Sequence, residues 1–431
     1  MHDFVYKKNE LYSEQVPIAS IARAIGTPFY LYSRHTLENH YRVFDSAFSS
    51  IPHLTCFSVK ANFNLAILRI MAHLGGGADV VSGGELYRAL YAGISPNKIV
   101  YTGVGKKGDE IEYALEANIL MFNVESPEEL SLINRIAGRM KKKARIALRV
   151  NPDINPRTHP YIATGLRENK FGINIPHAVK EYARAQKLKN IEIAGIGCHI
   201  GSQIVEVSPF LEALKRVKEL MAELNKMKIT IQCLDLGGGL GITYDQEEPP
   251  HPRDYAESLM KELKGLQVTL ILEPGRVIVG NAGILVTQVL YTKKNNRKNF
   301  VIVDAGMNDL IRPSLYGAYQ KIQPVIRAKR KTIIADIVGP ICESGDFLAK
   351  DRKIQMLKAH ELIAVMGAGA YGFSMSSNYN SRPRIAEVLA DKNRFSIIRE
   401  RECYDDLIRG ERMPDDLKIS EFGIRKQGLG I

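Results

Sequence analysis

The sequence predicts an α/β fold in which a (β/α)8 barrel is followed by a mostly β domain. With 431 residues the chain is longer than one ordinary domain, so two domains are expected. Eight short apolar runs alternate with helix-like amphipathic segments between residues 54 and 275, as a (β/α)8 barrel requires. After about residue 280, strand-like runs follow one another with little helix between them. A doubly wound open sheet is the alternative for the first part, because the count depends on where each run is taken to end.

The eight predicted strands are runs of mostly apolar or small residues, the pattern of strands buried on both faces. They are 54–60, 78–82, 99–103, 120–125, 144–151, 193–201, 233–239 and 269–275. The helices predicted between them include 64–74, 84–93, 126–140 and 209–227. Ser126 and Glu129 have the spacing of a capping box at the start of the third helix. We therefore expect the barrel over residues 27–280.

The second domain begins with a predicted β-hairpin. Its strands, 283–292 and 299–306, flank a basic polar tip. Two later runs, RKTIIADIVGP and HELIAVMGAG, are also predicted as strands. We expect this domain to cover residues 281–431 and to be joined by residues 1–26.

The composition excludes several classes of protein. The net charge of +12 comes from basic residues spread along the chain, and no nucleic-acid motif accompanies them, so we expect no nucleic-acid partner. An anionic cofactor would suit such a basic protein. The most apolar long stretch, about 268–290, contains Glu273, Pro274 and Arg276, so no membrane span is predicted. The five cysteines include no CxxC pair, which argues against a disulfide framework or a metal site and favours the cytoplasm.

The chemistry should lie where the barrel strands end, because the active site of a (β/α)8 barrel is at the C-terminal end of its strands. The residues at these ends are Lys60, Asp79, Arg149, His199, the glycines 237–239 and Glu273. Together they offer an amine that can form a Schiff base, an imidazole, a glycine-rich loop and carboxylates.

Three glycine-containing loops follow late strands. GGGLG at 237–241 lets backbone N–H groups approach a phosphate, although a tight turn would explain these glycines equally well. HIGSQ at 199–203 and EPGR at 273–276 also place glycine beside polar residues. A reactive lysine beside a phosphate site suggests pyridoxal 5'-phosphate, with Glu273 holding the pyridine nitrogen protonated.

Six motifs in the same order carry a resemblance to a known family. They are FSVKAN, HIGSQ, DLGGGLG, EPGR, GPICESGD and GAGAYGFSMSSNYNSRPRIAEVL. From about residue 27 to 390 the chain resembles the fold-type III pyridoxal-phosphate decarboxylases, departing from the pattern at Ile385. The runs THPYIATG (158–165) and NKFGI (169–173) resemble the branch of that family that converts meso-2,6-diaminopimelate to L-lysine and carbon dioxide.

The resemblance implies a role for each matching residue at the cofactor. Lys60 would carry it covalently, Glu273 would face the pyridine nitrogen and His199 would stack on the ring. The implied phosphate and ring contacts are Ser202, Gly238, Gly239, Pro274, Gly275, Arg276 and Tyr371. Asp79 and Arg149 would support the lysine from behind. We also expect burial in the barrel to keep the Lys60 amine neutral enough to react.

The residues expected to bind substrate follow from the chemistry of the distal end of diaminopimelate together with the resemblance. A distal carboxylate needs a cation in the pocket, which Arg312 could supply. Arg312 and Tyr316 are four residues apart, so their side chains lie on one face if this segment is helical. Arg276 and Tyr371 would also line the substrate pocket. The resemblance implies a homodimer with shared active sites, in which Cys342 and Glu343 reach the partner's site. Cys342 would return a proton after decarboxylation, and Glu343 would hold the distal amine.

Three other functions remain open from the sequence. Decarboxylases of the polyamine pathway, acting on ornithine, arginine or carboxynorspermidine, share the cofactor residues. A catalytically inactive homologue could act as a regulator, although Lys60, Glu273 and Cys342 are all present. An isomerase of the alanine-racemase type is disfavoured because it typically has arginine at the pyridine nitrogen, where this chain has Glu273.

Overall fold

The computed structural model describes residues 2–156, 158–162, 164–165, 169–296 and 298–417. The predicted run 158–165, the basic hairpin tip and the predicted domain end at 431 therefore lie partly outside the described residues. Ahead of the barrel, the chain forms β1 (Phe4–Lys7), β2 (Glu10–Ser13), β3 (Val16–Pro17), α1 (Ile18–Ile25), β4 (Phe29–Ser33) and α2 (Arg34–Ser46). The first three strands form a small antiparallel sheet.

The barrel is the expected ring of eight parallel strands, and a short ninth strand pairs beside it. The strands are β5 (His53–Ser58), β6 (Gly77–Val80), β7 (Ile99–Tyr101), β8 (Met121–Val124), β9 (Ala144–Asn151), β10 (Ile173–Asn174), β11 (Ile191–Cys198), β12 (Cys233–Asp235) and β13 (Thr269–Leu272). Strand β10 pairs with β9 outside the ring, which closes where β13 pairs with β5. All eight predicted strands are confirmed.

Helices follow the barrel strands and cover their outer faces. They are α3 (Leu65–His73), α4 (Gly83–Tyr91), α5 (Gly108–Ala117), α6 (Pro127–Arg139), α7 (Ile175–Ala185), α8 (Ser208–Lys226), α9 (Pro252–Leu263) and α10 (Arg276–Val279). The four helices predicted by residue range are α3, α4, α6 and α8. At the start of α6 the Ser126 side chain accepts a hydrogen bond from the backbone N–H of Glu129 at 3.2 Å, as the capping spacing predicts.

The second domain is built on one large sheet. Its elements are β14 (Gly283–Asn295), β15 (Lys298–Val303), α11 (Arg312–Tyr316), β16 (Ile322–Pro324), β17 (Thr332–Val338), β18 (Phe347–Gln355), β19 (Leu362–Val365), β20 (Ala386–Asp391), β21 (Arg394–Arg399) and α12 (Tyr404–Leu407). The strand order is β18-β17-β15-β14-β4-β20-β21, and β19 joins β14 to β16. The predicted hairpin is the antiparallel pair β14–β15.

The expected start of the barrel at residue 27 is wrong, because β4 belongs to the other sheet. Phe29–Ser33 pairs antiparallel with β14 and parallel with β20. All five residues are buried, so this strand needs neighbours on both edges and both faces, and the centre of the second sheet supplies them. Phe4 and Leu11 of the N-terminal strands share an apolar core with Ile284 of β14.

No helix in the described ranges is long and apolar enough to cross a membrane. No group of three or more His, Cys, Asp or Glu side chains in the same ranges is placed to hold a metal ion.

Candidate active site

The barrel interior has an apolar floor and a polar layer above it. Residues from seven strands form the floor as one cluster of Cys56, Val100, Met121, Ala147, Ala194, Cys233 and Ile271. Side chains two residues further along a strand point to the same side. That step leads to the polar residues Ser58, Thr102, Asn123, Arg149, Asp235 and Glu273, and all of them are buried. The candidate site is therefore the layer at the C-terminal strand ends.

Lys60 lies in a short 3-10 turn directly after β5 and forms an ion pair with Asp79 of β6. The Nζ atom of Lys60 is 2.6 Å from Oδ2 of Asp79, whose side chain is fully buried while that of Lys60 is 34% exposed. Burial lowers the pKa of Lys60, but the negative charges of Asp79 and Glu273 outweigh burial, so the pKa of the amine is raised. The expectation that burial keeps this amine neutral is therefore wrong for the cofactor-free protein. Asp79 touches the lysine directly.

Glu273, at the end of β13, belongs to a buried group of carboxylates. Burial and then the charges of Asp235 and Asp79 raise the pKa of Glu273 well above its ordinary value. Burial also raises the pKa of Asp235, to about 6. The Asn123 side-chain amide donates to Asp235 at 2.7 Å and lies 3.4 Å from Glu273. Because the carboxyl groups of Asp79 and Asp235 both act on Glu273 in this buried layer, the pocket favours a cationic group.

His199 follows β11 and is a neutral imidazole. Burial, followed by the charges of Arg149 and Lys60, lowers the pKa of His199 to about 3. The backbone N–H of Gly238 donates to Nδ1 of His199 at 3.3 Å, which leaves the ring proton on Nε2. The charge of Arg149 acts on His199, and the guanidinium of Arg149 donates to Glu125 at 2.7 Å.

The three glycine loops predicted as a phosphate site meet at the barrel mouth. A Cβ at Gly238 would overlap the main-chain oxygen of Glu273, and a Cβ at Gly239 would overlap that of Gly201. Gly239 also has a φ of 115°, which side chains disfavour. The loop after β13 packs on the segment of Lys60, where the Pro274 oxygen accepts from the Ser58 N–H and Gly275 leaves no room for a Cβ beside Ala61. Close packing thus requires these glycines.

Two buried arginines meet around Tyr244, a residue that the sequence did not indicate. Arg276 donates to the hydroxyl of Tyr244 at 2.6 Å and to Ser202 at 3.0 Å. The guanidinium carbon of Arg312 lies 4.6 Å from the centre of the Tyr244 ring, and that of Arg276 lies 5.0 Å from the Tyr371 ring. Within the described part of the chain neither arginine forms an ion pair. Two buried cations without an acid make this corner a binding place for an anion.

Tyr371 and Tyr316 join this corner from the second domain. Tyr371 has a φ of 55°, and its backbone N–H donates to the oxygen of Ala61 at 2.8 Å, next to Lys60. Arg312 and Tyr316 are the first and last residues of the short helix α11, as their spacing predicted. Arg312 donates to Gln320 at 2.9 Å when the amide oxygen faces the guanidinium.

Cys342 and Glu343 lie on an exposed loop of the second domain. The N–H of Cys342 donates to the Asn380 side chain at 2.8 Å, and Glu343 accepts from the Tyr379 hydroxyl at 2.7 Å. These contacts stay within the second domain and do not bring either side chain to Lys60 of the same chain. Cys403 is the other exposed cysteine, whereas Cys56, Cys198 and Cys233 are buried.

Four polar residues of the inner layer, Ser58, Thr102, Asn123 and Asp235, were missed by sequence reasoning. Each lies two residues after an apolar floor residue, and this alternation was the signal that could have found them.

The residues of this layer suit pyridoxal phosphate. Oδ1 of Asp79 and Oδ1 of Asn123 are buried and have no hydrogen-bond partner among the described residues. Both lie in the polar layer that also holds Lys60 and Glu273. A protonated pyridine ring would offset the negative charge of this layer, and the arginine at the glycine loops would meet a phosphate.

A family model matches the barrel half of the chain. The model is described as "Pyridoxal-dependent decarboxylase, pyridoxal binding domain", and it matches residues 34–280. That range begins at the first residue of α2 and ends just after α10.

Curated relatives and solved structures match nearly the whole chain. The diaminopimelate decarboxylase of Aquifex aeolicus (strain VF5) is 53% identical over 404 residues, covering 94% of this chain and 96% of that protein. The same enzyme of Haemophilus influenzae is 53% identical, covering 94% of this chain and 98% of that protein. A structure of diaminopimelate decarboxylase from Helicobacter pylori complexed with L-lysine has a TM-score of 0.88 at 45% identity, covering 91% and 98% of the two chains.

Proposed function

The chain belongs to the family of pyridoxal-dependent decarboxylases, and on that premise we propose how its own residues remove carbon dioxide from meso-2,6-diaminopimelate to give L-lysine. The chain is a carboxy-lyase that uses pyridoxal 5'-phosphate. The observation that carries the substrate assignment is the pair of buried arginines, Arg276 and Arg312, that share Tyr244 and form no ion pair with an acid among the described residues.

The cofactor contacts divide between the polar layer and the glycine loops. Lys60 would hold the cofactor covalently, and Glu273 would keep the pyridine nitrogen protonated. His199 would stack on the ring, and its neutral state supports this role because a cationic imidazole would repel a protonated pyridine. The residues that would hold the phosphate are Ser202, Gly238, Gly239, the turn of Pro274, Gly275 and Arg276, and Tyr371. When bound, pyridoxal phosphate accepts the electron pair left by the departing carboxylate.

Substrate recognition depends on the distal end of the molecule. Diaminopimelate carries a carboxylate there, whereas ornithine carries an amine and arginine a guanidinium. Arg312 and Tyr316 bind that carboxylate, with Arg276 and Tyr371 beside them, because a guanidinium can donate two parallel hydrogen bonds to a carboxylate. A buried arginine pair would repel the cationic ends of the polyamine-pathway substrates.

The last step requires a proton donor, which we assign to the partner subunit. In a homodimer with shared sites, the Cys342 thiol protonates the carbon that has lost its carboxylate, and Glu343 binds the distal amine. The exposure of the Cys342–Glu343 loop and its lack of contact with Lys60 in its own chain support this arrangement. Glu343 then supplies the anion that a cationic amine needs.

The domain boundaries and the cellular compartment are also part of the proposal. The barrel domain covers residues 34–280, and the second domain combines residues 281–417 with the chain before residue 34, as the pairing of β4 supports. A cytoplasmic enzyme fits five cysteines that form no disulfide.

The proposed function is tested by substrate competition. Purified protein with pyridoxal phosphate should release carbon dioxide from meso-2,6-diaminopimelate and form L-lysine, with kcat/KM at least about 100-fold above that for ornithine or arginine. Equal turnover of ornithine and diaminopimelate would refute the substrate assignment. Conversion without release of carbon dioxide would indicate an isomerase.

A further inference from the structure

Two of the sequence motifs contain residues with no assigned catalytic role, and these residues meet in the protein interior. FSVKAN continues into Phe63 and Asn64, and the motif ending in AEVL contains Glu387. The side-chain amide of Asn64 donates to Oε2 of Glu387 at 2.8 Å, although the two residues are 323 positions apart. Both side chains are buried, so this contact is shielded from water and salt.

Glu387 connects three strands of the second sheet to the barrel. Its other oxygen, Oε1, accepts from the hydroxyl of Tyr32 on β4 at 2.8 Å. Arg399 on β21 donates from Nε to Oε2 at 2.6 Å. Glu387 itself is on β20, between those two strands. The sheet therefore fixes both carboxylate oxygens of Glu387, and Asn64 donates to one of them.

Asn64 in turn fixes the segment that carries Lys60. Its Oδ1 accepts from the backbone N–H of Ala66 and caps α3, while its own N–H donates to Asn62 at 3.0 Å. Asn62 donates to the main-chain oxygen of Gly369 at 3.1 Å. Asn64 therefore joins three things, namely the start of a helix, the turn after Lys60 and the second domain.

The same segment is held from its other side by the loop of Tyr371. The oxygen of Ala61 accepts from the N–H of Tyr371 at 2.8 Å and from the Ser374 hydroxyl at 3.3 Å. Lys60, on the barrel, and Tyr371, on the second domain, must both reach one cofactor in the proposed function. Their separation depends on how the second domain sits on the residues after Lys60.

We propose that Glu387 is a positioning residue for Lys60, acting through Asn64 to hold the lysine turn against the second domain. This inference rests on the proposed function, since it concerns the presentation of Lys60 to pyridoxal phosphate. Glu387 touches neither cofactor nor substrate in this role. Its effect is on the geometry of the amine, so it should appear in kcat and in cofactor attachment more than in KM.

The test compares Glu387→Ala with a variant that damages the second domain elsewhere. Asp304→Asn is the matched control, because Asp304 accepts three hydrogen bonds, from Thr27, Thr287 and the backbone of Gln288, all inside the second domain. Cofactor-free proteins are mixed with pyridoxal phosphate well below their melting temperatures. Covalent attachment is followed by absorbance and by borohydride trapping on Lys60. We expect attachment to slow about 10-fold or more in Glu387→Ala and kcat to fall about 10- to 100-fold. Asp304→Asn should lower the melting temperature and attach at the unchanged rate.

Two further variants keep the test decisive. In Glu387→Gln the amide oxygen can still accept from Asn64, and the amide nitrogen can donate to Tyr32, so attachment should be largely restored. Asn64→Asp preserves the helix cap but places a second negative charge against Glu387. Because it leaves the sheet network intact, this variant still tests the proposal if Glu387→Ala does not fold. We expect it to slow attachment, and its effect should shrink in the Glu387→Ala background.

The possible outcomes distinguish a failure of this inference from a failure of the proposed function. If the unchanged protein attaches no pyridoxal phosphate or releases no carbon dioxide, the proposed function fails. If the unchanged protein is active while Glu387→Ala and Asn64→Asp attach and turn over within about twofold of it, the positioning role of Glu387 is overturned.

Discussion

The Nζ atom of Lys60 lies 2.6 Å from Oδ2 of Asp79, at the ends of two neighbouring barrel strands. The carboxylate also lies 2.9 Å from the hydroxyl of Ser58. Burial opposes the charge on Asp79, but Lys60 outweighs burial and lowers the pKa of that carboxyl. Without cofactor, the pair is therefore an ammonium and a carboxylate.

Asp79→Asn should make the lysine react at lower pH. The unprotonated amine is the nucleophile, and the charge of Asp79 is the largest influence raising the pKa of Lys60 against burial. Without that charge, the pH profile for covalent attachment of pyridoxal phosphate should move down by about 1 to 3 units. Stopped-flow absorbance of cofactor-free protein across neutral and alkaline pH measures the shift. An unchanged profile, or one moved to higher pH, would show that Asp79 does not control the amine.

Asp235→Asn should reduce the loss of stability between acidic and neutral pH. Burial raises the pKa of Asp235 to about 6 in the folded protein, against about 3.9 in an unfolded chain. The folded state therefore binds more protons between these values, so the free energy of unfolding decreases as the pH rises from about 4 to about 6 and stays lower above that. Urea unfolding of the cofactor-free proteins at pH 5 and 7.5 measures how far the free energy of unfolding falls between these pH values. We expect the fall to be smaller in Asp235→Asn than in the unchanged protein, by at most about 3 kcal/mol. Identical pH responses in both proteins would contradict this.

Arg312→Lys should weaken substrate binding while leaving the cofactor in place. A lysine keeps the charge but cannot donate two parallel hydrogen bonds to a carboxylate. We expect KM for diaminopimelate to rise about 10- to 100-fold, with a smaller change in kcat. Arg327→Lys is the matched control, because Arg327 also packs over a tyrosine, Tyr6, but on the surface. Steady-state kinetics decide, and an unaffected KM would remove Arg312 from the substrate site.

Gly238→Ala should destabilise the barrel mouth. A Cβ there would overlap the main-chain oxygen of Glu273, so the glycine loop or the main chain at Glu273 must move. We expect a loss of about 1 to 3 kcal/mol in the free energy of unfolding together with weaker retention of pyridoxal phosphate. Gly105→Ala is the control, since a Cβ at Gly105 meets nothing within 4 Å. If both variants unfold at the same urea concentration as the unchanged protein, the packing argument fails.

Hybrid dimers should recover activity from two inactive proteins. Cys342→Ala should bind pyridoxal phosphate but lose most turnover, and Lys60→Ala should lose covalent attachment. In a mixed dimer, one mouth would contain both an intact Lys60 and an intact Cys342 from the partner chain. Mixing equal amounts of the two under conditions that exchange subunits should restore up to about a quarter of the activity of the unchanged protein, because about half of the dimers would be mixed and each mixed dimer would have one working site of two. No recovery after verified exchange would refute the shared site.

Much of the barrel and its site was predictable because both depend on short-range patterns. Buried parallel strands are short apolar runs, and their C-terminal ends are the places where polar residues converge in a closed ring. Lys60, His199 and Glu273 were found in this way, and they do lie at strand ends around one mouth. The glycines at 238 and 239 were visible too, although the backbone overlaps that require them were not.

The sequence by itself determined the order of the strands and helices, the lysine at a strand end and the motifs that carry the family. Only the tertiary structure decided that β4 lies in the second sheet, that Asp79 keeps Lys60 charged, and that Asn64 meets Glu387. The physical reason is range. Periodicity and turn chemistry act over a few residues, whereas strand pairing, burial and the sum of nearby charges depend on groups that come together only when distant parts of the chain close into one interior.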